Sequence, residues 1–147
     1  MSAGDLYGPE LVDHGNQPRN HRKLARADIS AQRSNASCGD ELCISAALKG
    51  DKLVDVAFEG DGCLVSLASA SILTTLVQGK SRDEASALVS QARSYFDQLG
   101  DAPKAMPGLA AFAGLSRFPV RRACARLAWE ALANALVETT PTATSRT

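Results

Sequence analysis

The sequence predicts an α+β domain, a small three-stranded antiparallel sheet packed against about five helices. Two observations carry that prediction. Period-two alternation of apolar residues is confined to residues 28–59, and helical periodicity with start and stop signals fills most of the chain after Gly62. Strands gathered first and helices afterwards argue for α+β rather than an alternating parallel sheet. The 147-residue length suits one domain with a real core. Residues 1–138 are expected to form it, and the Thr/Ser-rich stretch Thr139–Thr147 is expected to be a disordered tail.

In chain order, residues 5–14 make a short helix with Leu6, Tyr7, Leu11 and Val12 on its apolar side, although Gly8-Pro9 blurs its start. Gly15 to Asn20 reads as turn and extended chain. A weaker strand is expected around Ile29–Arg33. Leu42, Ile44, Ala46 and Leu48 then alternate with Glu41, Cys43, Ser45 and Ala47, as in a half-buried strand. Gly50-Asp51 is a hairpin turn, and Val54, Val56 and Phe58 are expected to face inward on the return strand. The Ala-, Ser- and Leu-rich residues 63–78 form a helix ending before Gly79. Ser81-Arg82-Asp83-Glu84 is a capping box, followed by an apolar face through Ala85, Leu88, Val89, Ala92, Phe96 and Leu99. Residues 100–108 are a loop, a short helix lies near 108–114, and the last helix runs from Pro119 to about Val137.

Acidic and basic residues balance at 16 each, so no general attraction to nucleic acid or anionic membrane is expected. The first residues lack the pattern of a signal peptide, and no apolar run approaches a membrane span. The expected compartment is the cytoplasm, where the four cysteines stay reduced rather than pairing as disulfides.

Cys38, Asp40, Cys63 and Cys124 are the residues with chemistry to explain. Along a strand, Cys38 and Asp40 share one face, and Gly39 between them removes bulk so that other elements can come close. Cys63 follows Gly60-Asp61-Gly62 at a helix start, where free amides and the helix dipole favour a thiolate. Cys124 lies early in the last helix beside Arg121 and Arg122, which would offset the charge of three thiolates and a carboxylate around a divalent ion. The spacing leaves two readings open, a metal site or buried cysteines packed as small hydrophobes, because no Cys-x-x-Cys pair is present. Cys43 is an odd number of residues from Cys38 and Asp40 and is expected on the opposite face. His14 and His21 are expected at the surface, and the Ala-Ser-Ala-Ser run 68–71 is expected to serve close helix packing.

Taken together, these blocks resemble the SufU/IscU family of iron–sulfur cluster assembly proteins, also called NifU N-terminal-like. Leu6-Tyr7, Asp13-His14 and Pro18-Arg19-Asn20 look like its opening helix and turn. Cys38-Gly39-Asp40 is similar to its T-C-G-D signature. Phe58 to Cys63, with Ser66 and Ala68 to Ser71, resembles its F-x-G-x-G-C-x-x-S-x-A-S-A-S block, and Phe118 to Trp129 resembles its third-cysteine block. The likeness spans residues 6–137. Ala123 stands where IscU-type scaffolds carry histidine, the segment from Cys63 to Cys124 is longer than theirs, and Phe118-Pro119-Val120-Arg121 resembles the SufU ending. The SufU branch is the nearer match, with departures at Gln17, Ser37 and Ala123.

The resemblance implies a SufU/IscU-like fold and metal ligands at Cys38, Asp40, Cys63 and Cys124. It implies a zinc-dependent sulfurtransferase role, with Zn2+ bound and persulfide sulfur accepted from a SufS-like cysteine desulfurase at Cys38, or at Cys124 as runner-up. A downstream cluster-assembly scaffold would then receive the sulfur. The alternatives are a scaffold holding iron or a [2Fe–2S] cluster on the same ligands, and a structural zinc-containing interaction module.

Overall fold

The computed structural model describes residues 8–35 and 39–137. Helix α1 spans Pro9–Asn16, followed by strands β1 (Ile29–Asn35), β2 (Asp40–Lys49) and β3 (Lys52–Asp61). Helices α2 (Leu64–Val77) and α3 (Arg82–Gln98), a 3-10 segment (Pro107–Arg117) and α4 (Pro119–Val137) complete the order. The strands form one antiparallel sheet in the order β1-β2-β3. This is the expected α+β architecture. Cys38 and the tail 139–147 lie outside the described residues. Among the described residues, no helix is long and apolar enough to cross a membrane.

Period-two alternation puts Leu42, Ile44 and Ala46 on the buried face of β2, and Glu41, Cys43 and Ser45 on the more open one. The return strand departs from expectation at its start. Leu53 is fully buried, and Val54 stands 47% exposed. The register explains the reversal. Ala47 pairs with Asp55 but Leu48 pairs with Leu53, so Val54 is the extra residue of a β-bulge and inward-outward alternation slips by one there. Beyond the bulge, Val56 and Phe58 point inward as expected.

Helices cover the buried face. Helix α4 packs on β1 and β2, α2 on β3 and on α4, α1 on α2, and α3 on α4. Trp129, Phe58, Phe96, Phe112, Leu11 and Ile44 are among the large, fully enclosed side chains of a single core. Phe96 meets Phe112 edge to face at 5.3 Å between ring centres. Proline is tolerated at the start of α1 because it occupies the first turn, where no intrahelical amide bond is lost. After α1, Arg19 N–H donates to Ser71 Oγ at 2.8 Å and Asn20 Nδ2 donates to Thr74 Oγ1 at 3.0 Å. The Pro18-Arg19-Asn20 turn is thereby fixed to α2, and Asn20 continues into paired contact with β3 at Phe58.

Candidate metal centre

Three elements converge where β2 begins. Asp40 is the first residue of β2, Cys63 is the N-cap of α2, and Cys124 lies one to two turns into α4. One ligand atom from each, a carboxylate oxygen and two sulfurs, lie within 4.8 Å of one another. Asp40 is 3% exposed, Cys124 is fully buried and Cys63 is half-buried. A buried carboxylate beside two thiols is a donor set suited to a thiophilic divalent ion with one harder ligand. Cys38, the remaining predicted ligand, falls outside the described residues.

Backbone geometry assembles the trio. Gly39 has φ +74°, and among the described residues nothing lies within 4 Å of where a Cβ would stand. Its role is the left-handed backbone that turns the chain into β2, not the close approach expected from sequence. Close approach is instead the role of Gly62, where a Cβ would lie 2.9 Å from Ser66 Cβ and 3.2 Å from Asp40 Oδ1. A side chain there would wedge β2 away from the start of α2.

The carboxylate is held on both oxygens. Cys63 N–H donates to Asp40 Oδ1 at 2.9 Å, and Ser66 Oγ donates to Asp40 Oδ2. Burying an anionic group without donors would be costly, and here each oxygen has one. Asp40 also places negative charge at the positive end of α2. Cys63 Sγ lies 3.7 Å from Asp40 Oδ2 and 3.6 Å from Ser66 Oγ.

Of the two arginines beside Cys124, only Arg121 faces the sulfurs. The charge of Cys63, and then hydrogen bonds to Cys124 and Cys63, hold its guanidinium above the ordinary arginine range against the opposing effect of burial. Arg122 instead donates to the backbone oxygen of Asp97, tying α4 to α3. Cys43 points to the other face of the sheet, where its sulfur lies 3.9 Å from Ser45 Oγ, and it is not part of the cluster.

Two participants have roles at the site that the sequence alone does not assign, although Ser66 stands in one of the family's blocks. Asn35 pairs with Asp40 across β1 and β2, and its Nδ2 lies 3.7 Å from Cys124 Sγ. Continuing the alternation from Ile29 through Ala31 and Arg33 would have placed it on this face. Ser66, three residues after Cys63, lies over the same helical turn, and that spacing was its signal. The serines of the 68–71 run also do more than permit close packing. Ser69 donates to the Ala125 carbonyl at 2.6 Å, beside Cys124, and Ser71 meets His14 Nδ1 at 2.7 Å. His14 is accordingly half-buried rather than a surface residue, and burial, then the nearby Arg19 charge, lowers its pKa. His21 is exposed as expected, and stacks on Phe58 with ring centres 4.5 Å apart.

Comparison with known proteins follows the same blocks. A family model described as the NifU-like N terminal domain matches residues 6–142. An iron–sulfur cluster assembly scaffold protein IscU of Streptococcus pyogenes serotype M1 is 36% identical over 132 residues, covering 89% of this chain and 82% of that protein. A zinc-dependent sulfurtransferase SufU of Bacillus subtilis (strain 168) is also 36% identical, over 135 residues, covering 86% of each. A crystal structure named for a candidate iron–sulfur cluster assembly scaffold protein of the SUF system, from Fervidobacterium islandicum AW-1, superposes with a TM-score of 0.83. It is 29% identical, and the match covers 92% of this chain and 99% of that one.

Proposed function

Because the chain belongs to the NifU-like N-terminal domain family, we propose that it acts in iron–sulfur cluster assembly as a zinc-binding sulfur acceptor, taking persulfide sulfur from a cysteine desulfurase. The observation that carries this reading is the buried carboxylate held among two thiols, with a guanidinium facing them. A structural zinc site would be closed by thiolates and imidazoles alone, whereas a carboxylate ligand favours exchange.

Cys38, Asp40, Cys63 and Cys124 are the ligands in this reading. Bound zinc would keep the thiols deprotonated and ready to react at neutral pH. Cys63 and Cys124 anchor the site, and Arg121 offsets its negative charge. Cys38 is the acceptor, and the complete burial of Cys124 supports that choice over the runner-up. Its thiolate attacks the outer sulfur of the desulfurase persulfide. A sulfur–sulfur bond forms at Cys38 as the donor bond breaks, and the desulfurase cysteine leaves as a thiolate. Charge and oxidation state balance without another reactant. Ala123, in place of a histidine beside the third cysteine, favours this role over cluster assembly on the same ligands.

Desulfurase turnover with cysteine and a thiol reductant, run beside anaerobic cluster reconstitution, tests the proposal. Acceleration of turnover by the zinc-loaded chain, lost in Cys38→Ser, is expected. Unchanged turnover with accumulation of a stable brown cluster would replace it with the scaffold reading.

A further inference from the structure

We propose that Ser66 is the positioning residue for Asp40, setting which carboxylate oxygen turns to the metal and how firmly it ligates. The inference rests on the reading that Asp40 is a metal ligand. The two carboxylate oxygens are not equivalent. Oδ1 is tied to a backbone amide, Cys63 N–H, which cannot re-aim. Oδ2 is tied to the Ser66 hydroxyl and is the oxygen 3.7 Å from Cys63 Sγ. Oδ2 is therefore the oxygen turned toward the Cys63 sulfur and placed to donate to a cation beside it, and the Ser66 hydroxyl is its hydrogen-bond partner.

A hydroxyl has one proton and rotates about a single bond. Besides Asp40, the Ser66 oxygen lies 3.4 Å from the Cys124 carbonyl oxygen and 3.6 Å from Cys63 Sγ. When Oδ2 shares its lone pair with a metal, Ser66 can keep its bond or turn to the carbonyl without leaving its proton stranded. Ser66 is fully buried, so bulk water does not stand in for its hydroxyl. Hydrogen-bonded partners of this kind orient a ligand and tune its donor strength.

Zinc affinity, measured by competition with a chromophoric chelator, separates this role from a general contribution to the fold. The variants are Ser66→Ala, Asp40→Ala and the pair together. Alanine favours helix, so α2 is expected to be retained, and thermal unfolding of the metal-free proteins checks that. Ser66→Ala should weaken zinc binding about tenfold, and should change it by less than about twofold in the Asp40→Ala background. In the cobalt-substituted protein, Ser66→Ala should shift the visible bands, and should leave those of Asp40→Ala where they are. Equal losses in both backgrounds, or no loss in either, would overturn the role of Ser66. An Asp40→Ala chain that binds zinc as tightly as the natural one would instead remove Asp40 as a ligand, and this inference with it.

Discussion

Helices α2 and α3 begin alike and are capped differently. Both N-cap residues, Cys63 and Ser81, are extended. Ser81 accepts from Glu84 N–H at 3.1 Å, and Glu84 accepts from Ser81 N–H at 2.8 Å, a reciprocal box within four residues. Cys63 makes no such side-chain cap. Its backbone amide is satisfied by Asp40, 23 positions earlier and in a different element. A local cap occupies the N-cap side chain. At α2 only the half of the box that Glu84 supplies at α3 has a counterpart, and it comes from the sheet. The N-cap side chain makes no cap and is left for chemistry, and the helix start is tied to the strand that carries the partner ligand.

The contrast is broken most severely at Asp40. Asp40→Ala should remove both the acceptor for the N-cap amide of α2 and a metal ligand, lowering the stability of the metal-free protein by about 1–2 kcal/mol and weakening zinc binding. Asp40→Asn keeps an oxygen for Cys63 N–H, so it should recover most of the stability and little of the zinc affinity. Urea unfolding of metal-free protein, paired with zinc titration, distinguishes the two functions of one side chain.

At α3 the effects should be smaller and confined to stability. Ser81→Ala should cost about 1 kcal/mol with zinc content unchanged. The Glu84 carboxyl is held below its usual range, first by the Ser81 amide, so its contribution is present above the ordinary glutamate range. It is lost as pH falls through the lowered folded value. The stability gap between the natural chain and Glu84→Ala, followed by thermal melts across acid pH, should narrow in that direction. Smallest of all is Cys43→Ser on the outer face of the sheet, for which zinc content and sulfur transfer should both stay near normal.

The same contrast explains what could be read from residues alone. The box at Ser81 to Glu84 is legible because both partners are local, as is the alternation of Leu42, Ile44 and Ala46. The family's blocks bring Asp40, Cys63 and Cys124 into view. The links that join them do not follow from any window of sequence. Ser66 to Asp40 and Asn35 to Cys124 exist only once β2, α2 and α4 meet. The exposure of Val54 was hidden for a related reason, since the bulge that turns it outward arises from pairing with β2 rather than from its own strand. His14 was misjudged because its partner, Ser71, lies 57 positions away.

Zinc K-edge X-ray absorption of the freshly purified protein tests the mixed thiolate–carboxylate centre most directly. Three sulfur ligands at about 2.3 Å and one oxygen at about 2.0–2.2 Å are expected, with the oxygen contribution lost or replaced in Asp40→Ala. Four sulfurs around the metal, or retention of zinc after Cys63→Ala and Cys124→Ala together, would contradict it.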